Sequence, residues 1–152
     1  MNTPWKPNVT VAALIEREGR FLMVEEETPD GLRFNQPAGH LDEGESLIAA
    51  CAREALEETA WHFTPTQLVG IYQWPRPQGD ITYLRFAFTG ILGAHEAQRP
   101  LDTGIVRAVW LTPEEIQACQ NRHRSPLIWQ CVSDYLAGQR FPLSVIRHYG
   151  KP

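Results

Sequence analysis

The sequence has few of the features that mark secreted, membrane-spanning or zinc-binding proteins. Only three of its 152 residues are cysteines, and the spacing of Cys51, Cys119 and Cys131 matches neither a disulfide framework nor a metal-binding cluster. We therefore expect buried, reduced thiols. No stretch approaches the roughly 20 apolar residues of a membrane-spanning helix, and the first residues contain no apolar signal segment. These absences predict a cytoplasmic protein that has no membrane partner.

A strong positive charge is also absent. Lysine and arginine total 14 and aspartate and glutamate total 18, which gives a formal net charge of −4 at pH 7. A general nucleic-acid binder would need a basic surface to neutralise phosphates, so we expect a small-molecule substrate and no nucleic-acid partner. The length suits one domain with its own core. Residues 1–152 are therefore predicted to form a single domain, as a monomer or a small homo-oligomer.

Hydrophobic patterning predicts strands that flank the helices and do not strictly alternate with the helices along the chain. The segment 46–59 has no proline or glycine and many good helix formers, so it is predicted to be a helix. Strands are expected at 8–15, 21–24, 32–36, 66–74, 81–92 and 105–111, further helices at 112–120 and 125–137, and a loop at 37–44. The first two strands are expected to form a hairpin. This order favours an α+β layer sandwich with a mixed β-sheet.

The predicted helix at 46–59 carries three carboxylates on one face. At about 100° per residue, Glu57 and Glu58 lie within about 60° of Glu54. Like charges at this spacing destabilise a helix by a few tenths of a kcal/mol per pair, and a cation would remove that penalty. Carboxylate oxygens suit Mg²⁺, with Mn²⁺ as a substitute. The alternative is a solvated acidic face balanced by Arg53, which is a common arrangement.

The surrounding residues stand at the spacing of a known motif. Glu45 follows a glycine after five residues, an Arg-Glu pair follows after seven more, and a Glu-Glu pair comes next. These positions are Gly39, Glu45, Arg53, Glu54, Glu57 and Glu58. The pattern resembles the Nudix box, a loop-helix-loop that binds a divalent metal and a substrate diphosphate.

The resemblance identifies the chain as a member of the Nudix hydrolase superfamily and implies an α/β/α sandwich. It also implies that Glu54, Glu57, Glu58 and the carbonyl of Gly39 bind metal. Glu45 and Arg53 would brace the loop of the box against the helix. The glutamates and Arg53 are thus the expected catalytic set, with Glu45 in a structural role.

Two positions depart from the usual Nudix pattern. Ala60 stands where the family usually has glycine, and Ala55 replaces a larger aliphatic residue. A glycine at the first of these positions would suit a left-handed helix stop, where alanine costs roughly 1–2 kcal/mol. We predict a positive φ at Ala60, or else a helix that ends by another route. Every charged ligand of the box is present.

Segments outside the box are similar to those of bacterial phosphatases of the NudJ type. Asn35 to Leu41 and Leu84-Arg85-Phe86 are examples. This similarity implies hydrolysis of nucleoside di- and triphosphates, thiamine pyrophosphate and its hydroxymethylpyrimidine pyrophosphate precursor, with release of orthophosphate. One alternative is a Nudix pyrophosphohydrolase that acts on another nucleoside diphosphate derivative. The other is a ligand-binding regulator of the same fold without turnover, against which the three intact glutamates argue.

Five further residues are candidates for the site. Asn35 and Gln36 lie at a strand end beside the box, where their amides suit phosphate or base contacts. Arg85 and Trp74 lie on strands expected to line the substrate groove, and strand alternation puts Arg85 on the face opposite the two phenylalanines that flank Ala87. Strand aromatics such as Trp74 are more often core. Asp102 is either an additional metal ligand or a cap of its own turn.

Overall fold

The computed structural model describes residues 2–150 and contains two β-sheets with helices packed around them. The strands are β1 (Asn8–Leu14), β2 (Glu16–Arg17), β3 (Arg20–Thr28), β4 (Gly31–Asn35), β5 (Ala38–His40), β6 (Trp61–Pro75), β7 (Thr82–His95), β8 (Ile105–Leu111) and β9 (Phe141–Pro142). The helices are α1 (Leu47–Thr59), α2 (Pro113–Ala118) and α3 (Leu127–Leu136), with short 3-10 turns at Gln120–Arg122 and Leu143–Val145. No helix between residues 2 and 150 is long and apolar enough to cross a bilayer.

The first sheet has the strand order β5-β1-β7-β6-β9. Strand β1 runs parallel to β7, and the other pairs in this sheet are antiparallel. The mixed sheet and the α+β class are therefore confirmed. A second, antiparallel sheet of β2, β3, β4 and β8 was not predicted.

The predicted hairpin between the first two strands is wrong. The turn at Glu18 and Gly19 joins β3 to the two-residue strand β2, whereas β1 pairs with β5 and β7. The physical reason is the burial of Val11 to Ile15 on both sides of the strand. A strand covered on both faces belongs inside a layered sheet.

Helices α1 and α3 cover opposite faces of the first sheet. Ala50, Cys51 and Ala55 of α1 share a core cluster with Val11 and Phe88. On the other face, the α3 residues Ile128, Cys131 and Val132 share a second core cluster with Ala12 and Ala87. Cys51 and Cys131 are buried free thiols, as expected, and Cys119 is half-buried. The sheet is thus a middle layer, as the α/β/α expectation required.

Helix α1 is capped by a side chain at its beginning and by a backbone N–H group at its end. The Ser46 hydroxyl accepts a hydrogen bond from the Ala49 N–H at 3.0 Å, which satisfies one free donor of the first turn. The helix stops at Ala60, whose φ of 63° lies in the left-handed region. The Ala60 N–H donates to the Leu56 carbonyl at 2.9 Å. The predicted positive φ at this position is confirmed.

Part of the predicted loop at 37–44 forms strand β5. Its three residues pair with β1, in the register Thr10 with His40 and Val11 with Gly39. No β-branched residue signals this strand, so only its partner reveals it. Its place at the edge of the first sheet sets Gly39 beside helix α1.

Candidate active site

A cavity of about 1000 Å³ lies over the face of the first sheet that also carries α3. Thr10 is paired with His40 on one side and with Arg85 on the other, so the three side chains share this face. Two residues from Arg85 and on the same face, Tyr83 is paired with Trp74. The residues of the sheet that line the cavity floor are Thr10, Ala38, His40, Trp74, Tyr83 and Arg85. Because strands lie about 4.8 Å apart, the backbone of Arg85 is about 10 Å from β5.

The carboxylates of α1 reach this cavity around the edge strand β5. Glu54 and Glu58 line the cavity and are 8% and 7% exposed. Glu58 Oε1 accepts a hydrogen bond from the Ala38 N–H at 2.9 Å. A methyl group built on Gly39 would overlap the carboxyl group of Glu54, so only glycine leaves room for that carboxyl group in its observed position. The motif glycine therefore has a steric explanation.

Arg53 joins the box loop to the helix. Its Nε and Nη2 atoms donate to the two oxygens of Glu45 at 3.0 and 2.6 Å, a bidentate pair. Nη2 also donates to the His40 carbonyl at 3.1 Å. The pKa of Glu45 lies below its usual value because of the hydrogen bond from Arg53. The loop-to-helix contact implied by the Nudix resemblance is present, and its contribution to catalysis stays a prediction.

The surroundings of the carboxyl groups at the edge of the cavity disfavour their charged forms. Burial raises the pKa of Glu54, although Arg53 Nη1 donates to its Oε1 at 2.8 Å. Burial also raises the pKa of Glu58 to about 9, against the lowering effect of the Ala38 N–H, and the charges of Glu26 and Asp102 add to the rise. A cation at this edge would favour the charged forms and so offset these shifts.

The carboxylate and carbonyl oxygens at the acidic edge are of the type that binds a hard divalent cation, but they are not arranged around a single point. Within residues 2–150, no three acidic, histidine or cysteine side chains converge closely enough to hold an ion. Arg53 Nη1 contacts both Glu54 and Glu57, the latter at 3.3 Å, while Glu58 is turned to Ala38. Carboxylate and carbonyl oxygens are the donors that Mg²⁺ and Mn²⁺ prefer. The fit therefore rests on donor chemistry and on carboxyl groups whose charged forms a cation would favour.

Asp102 lies beside the same acidic edge. Its N–H donates to the Glu57 carbonyl at 2.9 Å, which satisfies one of the free carbonyls at the end of α1. Its own carbonyl accepts from the Ile105 N–H at 3.1 Å. Burial is the main cause of the raised pKa values of Glu54 and Glu58, and the charge of Asp102 adds to both. Metal ligation by Asp102 stays a prediction.

Arg85, Asn35 and Gln36 form one buried network at the cavity floor. Arg85 Nη2 donates to Asn35 Oδ1 and Nη1 donates to Gln36 Oε1, both at 2.8 Å. Asn35 and Arg85 line the cavity. Gln36 is 1% exposed, lies behind the cavity wall, and donates through Nε2 to the Ile128 carbonyl at 2.8 Å. Because both ends of its amide are in use, Gln36 positions Arg85, and its predicted contact with the substrate stays a prediction.

Trp74 lies in the cavity and not in the core. Its ring stacks on Tyr83 with centroids 6.0 Å apart and an interplanar angle of 15°. Both side chains are half-buried and line the cavity. The structure therefore places Trp74 where a flat substrate ring could reach it.

Glu26 and Arg124 were not among the predicted site residues. Glu26 lines the cavity and is 9% exposed. It accepts hydrogen bonds from Arg124 at 2.8 Å and from the Asn35 amide at 3.4 Å. The sequence holds a signal for it, because Glu25 and Glu26 continue the apolar run that ends at Val24. Two acids in a buried strand require partners.

Comparison with known proteins identifies the class. Residues 4–130 match the model of the NUDIX domain. The chain belongs to this family and is a phosphohydrolase, as the acidic helix beside a cavity had indicated. The comparisons support hydrolysis of pyrophosphate linkages in general. Enzymes of this family act on small molecules and generally use a divalent metal.

The chain is also similar to individual members of this family. The chain is 39% identical over 148 residues to phosphatase NudJ of Escherichia coli strain K12, covering 97% of this chain and 95% of that protein. It resembles the solved NUDIX hydrolase from Nitrosomonas europaea with a TM-score of 0.91 at 53% identity, covering 95% of this chain and 98% of that one. The MutT NUDIX hydrolase of Burkholderia pseudomallei, at 16% identity, a TM-score of 0.72 and coverages of 86% and 98%, shares the fold alone.

Proposed function

We propose that this enzyme is a Mg²⁺-dependent hydrolase of nucleoside di- and triphosphates and of thiamine-related pyrophosphates, and that it releases orthophosphate. The thiamine-related substrates are thiamine pyrophosphate and hydroxymethylpyrimidine pyrophosphate. One observation carries the proposal: a single cavity joins the acidic edge at Glu54 and Glu58 to a floor that holds Arg85 and an aromatic pair. A small molecule with a diphosphate at one end and a heterocycle at the other matches these two ends.

Glu54, Glu57, Glu58 and the carbonyl of Gly39 would hold the metal. When bound, a divalent cation neutralises diphosphate oxygens and lowers the pKa of a coordinated water. Glu54 is central on the acidic face and accepts the proton of the attacking water. Arg53 and Glu45 keep the β5 loop against α1, so that the Gly39 carbonyl and the glutamates stay at one edge.

The remaining predicted residues bind the organic part of the substrate. Trp74 offers a ring face, and Asn35 and Arg85 offer polar atoms on the cavity wall and floor. Arg124, paired with Glu26, lines the same cavity and would contact a terminal phosphate. Orthophosphate release follows when the terminal phosphoryl group is the one attacked.

A phosphate-release screen tests the proposal. Nucleoside di- and triphosphates and the thiamine-related pyrophosphates are incubated with Mg²⁺, with Mn²⁺ or with a chelator, and early products are separated by chromatography. We expect metal-dependent orthophosphate release. Glu114→Gln, a matched change at an exposed residue of α2, should leave the rates unchanged. Release of pyrophosphate alone from every triphosphate would refute the product assignment, and no turnover of any diphosphate would favour the ligand-binding regulator.

A further inference from the structure

Arg85 is a buried cation whose contacts are neutral. It is 6% exposed at the cavity floor. Within the described part of the chain, its guanidinium contacts are the amide oxygens of Asn35 and Gln36 and the Cys131 sulfur at 3.8 Å. Burying a charge without an opposite charge beside it is costly unless polar partners satisfy it. Such a costly placement at a cavity floor indicates a binding role.

The guanidinium retains free hydrogen-bond donors. It carries five N–H groups in a fixed plane, and the contacts to Asn35, Gln36 and Cys131 occupy at most three of them. The amide oxygens of Asn35 and Gln36 accept hydrogen bonds from Arg85 at 2.8 Å each and so fix the plane of its guanidinium group. A guanidinium group that is fixed in its plane and has unused N–H donors can recognise acceptor atoms at defined positions on a ligand, which a mobile lysine ammonium group does less well.

The surroundings favour a neutral ring over a second phosphate. Tyr83 lies two residues from Arg85 on the same face, and Trp74 stacks on Tyr83. The acidic Glu26 lies one hydrogen bond away, on the amide of Asn35. Glu26 is itself paired with Arg124 at 2.8 Å, so the feature that favours a ring at this end of the cavity is the aromatic pair, which offers a face for packing.

We propose that Arg85, held by Asn35 and Gln36, is a specificity-determining residue that donates hydrogen bonds to acceptor atoms on the edge of a planar substrate heterocycle, whose face packs on Trp74. This inference rests on the proposed function, since the diphosphate of the same molecule lies at the Glu54 and Glu58 edge. The substrate class is therefore an oxo- or aza-heterocycle linked to a diphosphate. A site with buried donors rejects compounds that leave those donors unpaired.

The test compares a substrate that has a ring with one that has none. Values of kcat/KM are measured for uridine diphosphate and isopentenyl diphosphate, and the wild type should prefer the former. Arg85→Gln should lower this preference at least about 10-fold, mainly through KM, because it removes the guanidinium group. Arg85→Lys should not restore it, because lysine supplies a point charge only. Arg140→Gln, whose side chain contacts Tyr135 and Gln139 carbonyls, is the matched control.

Two further measurements separate the outcomes. Trp74→Leu changes a half-buried residue, so it should fold even where Arg85→Gln does not, and it should also lower the preference. Binding of uridine monophosphate, followed by tryptophan fluorescence, should weaken in Arg85→Gln whether or not any diphosphate is hydrolysed. Equal losses for both substrates would overturn the inference, as would retained binding of the monophosphate. A loss that grows from uridine diphosphate to triphosphate would show a phosphate contact instead.

Discussion

Gly39→Ala should abolish most turnover while leaving the protein folded. The new methyl group would overlap the Glu54 carboxyl group, which is the end of a flexible side chain, so that side chain would turn away while the backbone stays in place. This rotation of the Glu54 side chain breaks the 2.8 Å hydrogen bond between Arg53 Nη1 and Glu54 Oε1. A hydrogen bond to a charged group contributes about 1.5–3 kcal/mol, and partial solvent exposure of Arg53 lowers this to about 1 kcal/mol.

Urea denaturation and turnover across a Mg²⁺ titration measure the two effects in Gly39→Ala. We expect about 1 kcal/mol less stability and a turnover loss on the order of 10²-fold, as for a disturbed ligand environment. Gly19→Ala is the control, because Gly19 has a φ of 76° and open space around it. It should lose about 1 kcal/mol through left-handed strain and keep its turnover. Near wild-type turnover in Gly39→Ala at limiting Mg²⁺ would refute the active role of Glu54.

Four other outcomes are expected. Glu57→Gln should lose turnover on the order of 10²-fold in a Mg²⁺ titration, with its thermal midpoint little changed because the relief of repulsion on α1 offsets the weakened contact with Arg53. Arg53→Ala should lower both turnover and the urea midpoint, since the Glu45 loop is freed; loss of turnover alone would contradict this. Ala60→Gly should stabilise by up to about 1 kcal/mol in urea, because strain of about 1–2 kcal/mol outweighs the extra entropy of the unfolded glycine; a clear loss would disprove the strain. The hydrogen bond from Arg107 lowers the pKa of Glu25 in the folded protein. The ionised Glu25 should therefore stabilise the protein fully above the unfolded pKa of about 4.5, and this stabilisation should disappear as the pH falls through the lower folded pKa. The urea midpoints of Glu25→Gln should lack that dependence on pH.

The parts of the site that depend on local spacing were predictable from the sequence. The carboxylates of α1 share a face because helix geometry fixes their directions. The contact between Arg53 and Glu45 and the left-handed Ala60 follow from the same motif. Strand β8 was also predicted with its observed bounds, because a short apolar run between turn residues is a strong local signal.

The parts that depend on distant partners were not predictable. Strand β5 forms because β1 lies beside it, and its own three residues carry no strand signal. Gln36 was expected to face the substrate, yet the Ile128 carbonyl from α3 and the Arg85 guanidinium from β7 draw it into the interior. Single-sequence patterns do not report contacts between residues so far apart in the chain.

The two ends of the cavity therefore depend on different constraints. The acidic end needs only one helix placed at an edge strand, and Gly39 leaves room there for the Glu54 carboxyl group. The other end needs the parallel register of β1 and β7, which sets Arg85 beside Thr10 on the cavity face. A slip of one residue would turn Arg85 toward the core that contains Phe88 and would carry Phe86 to the cavity. Burial of Phe88 and Ala87 on opposite faces holds that register, so the apolar core of β7 decides which polar group lines the cavity.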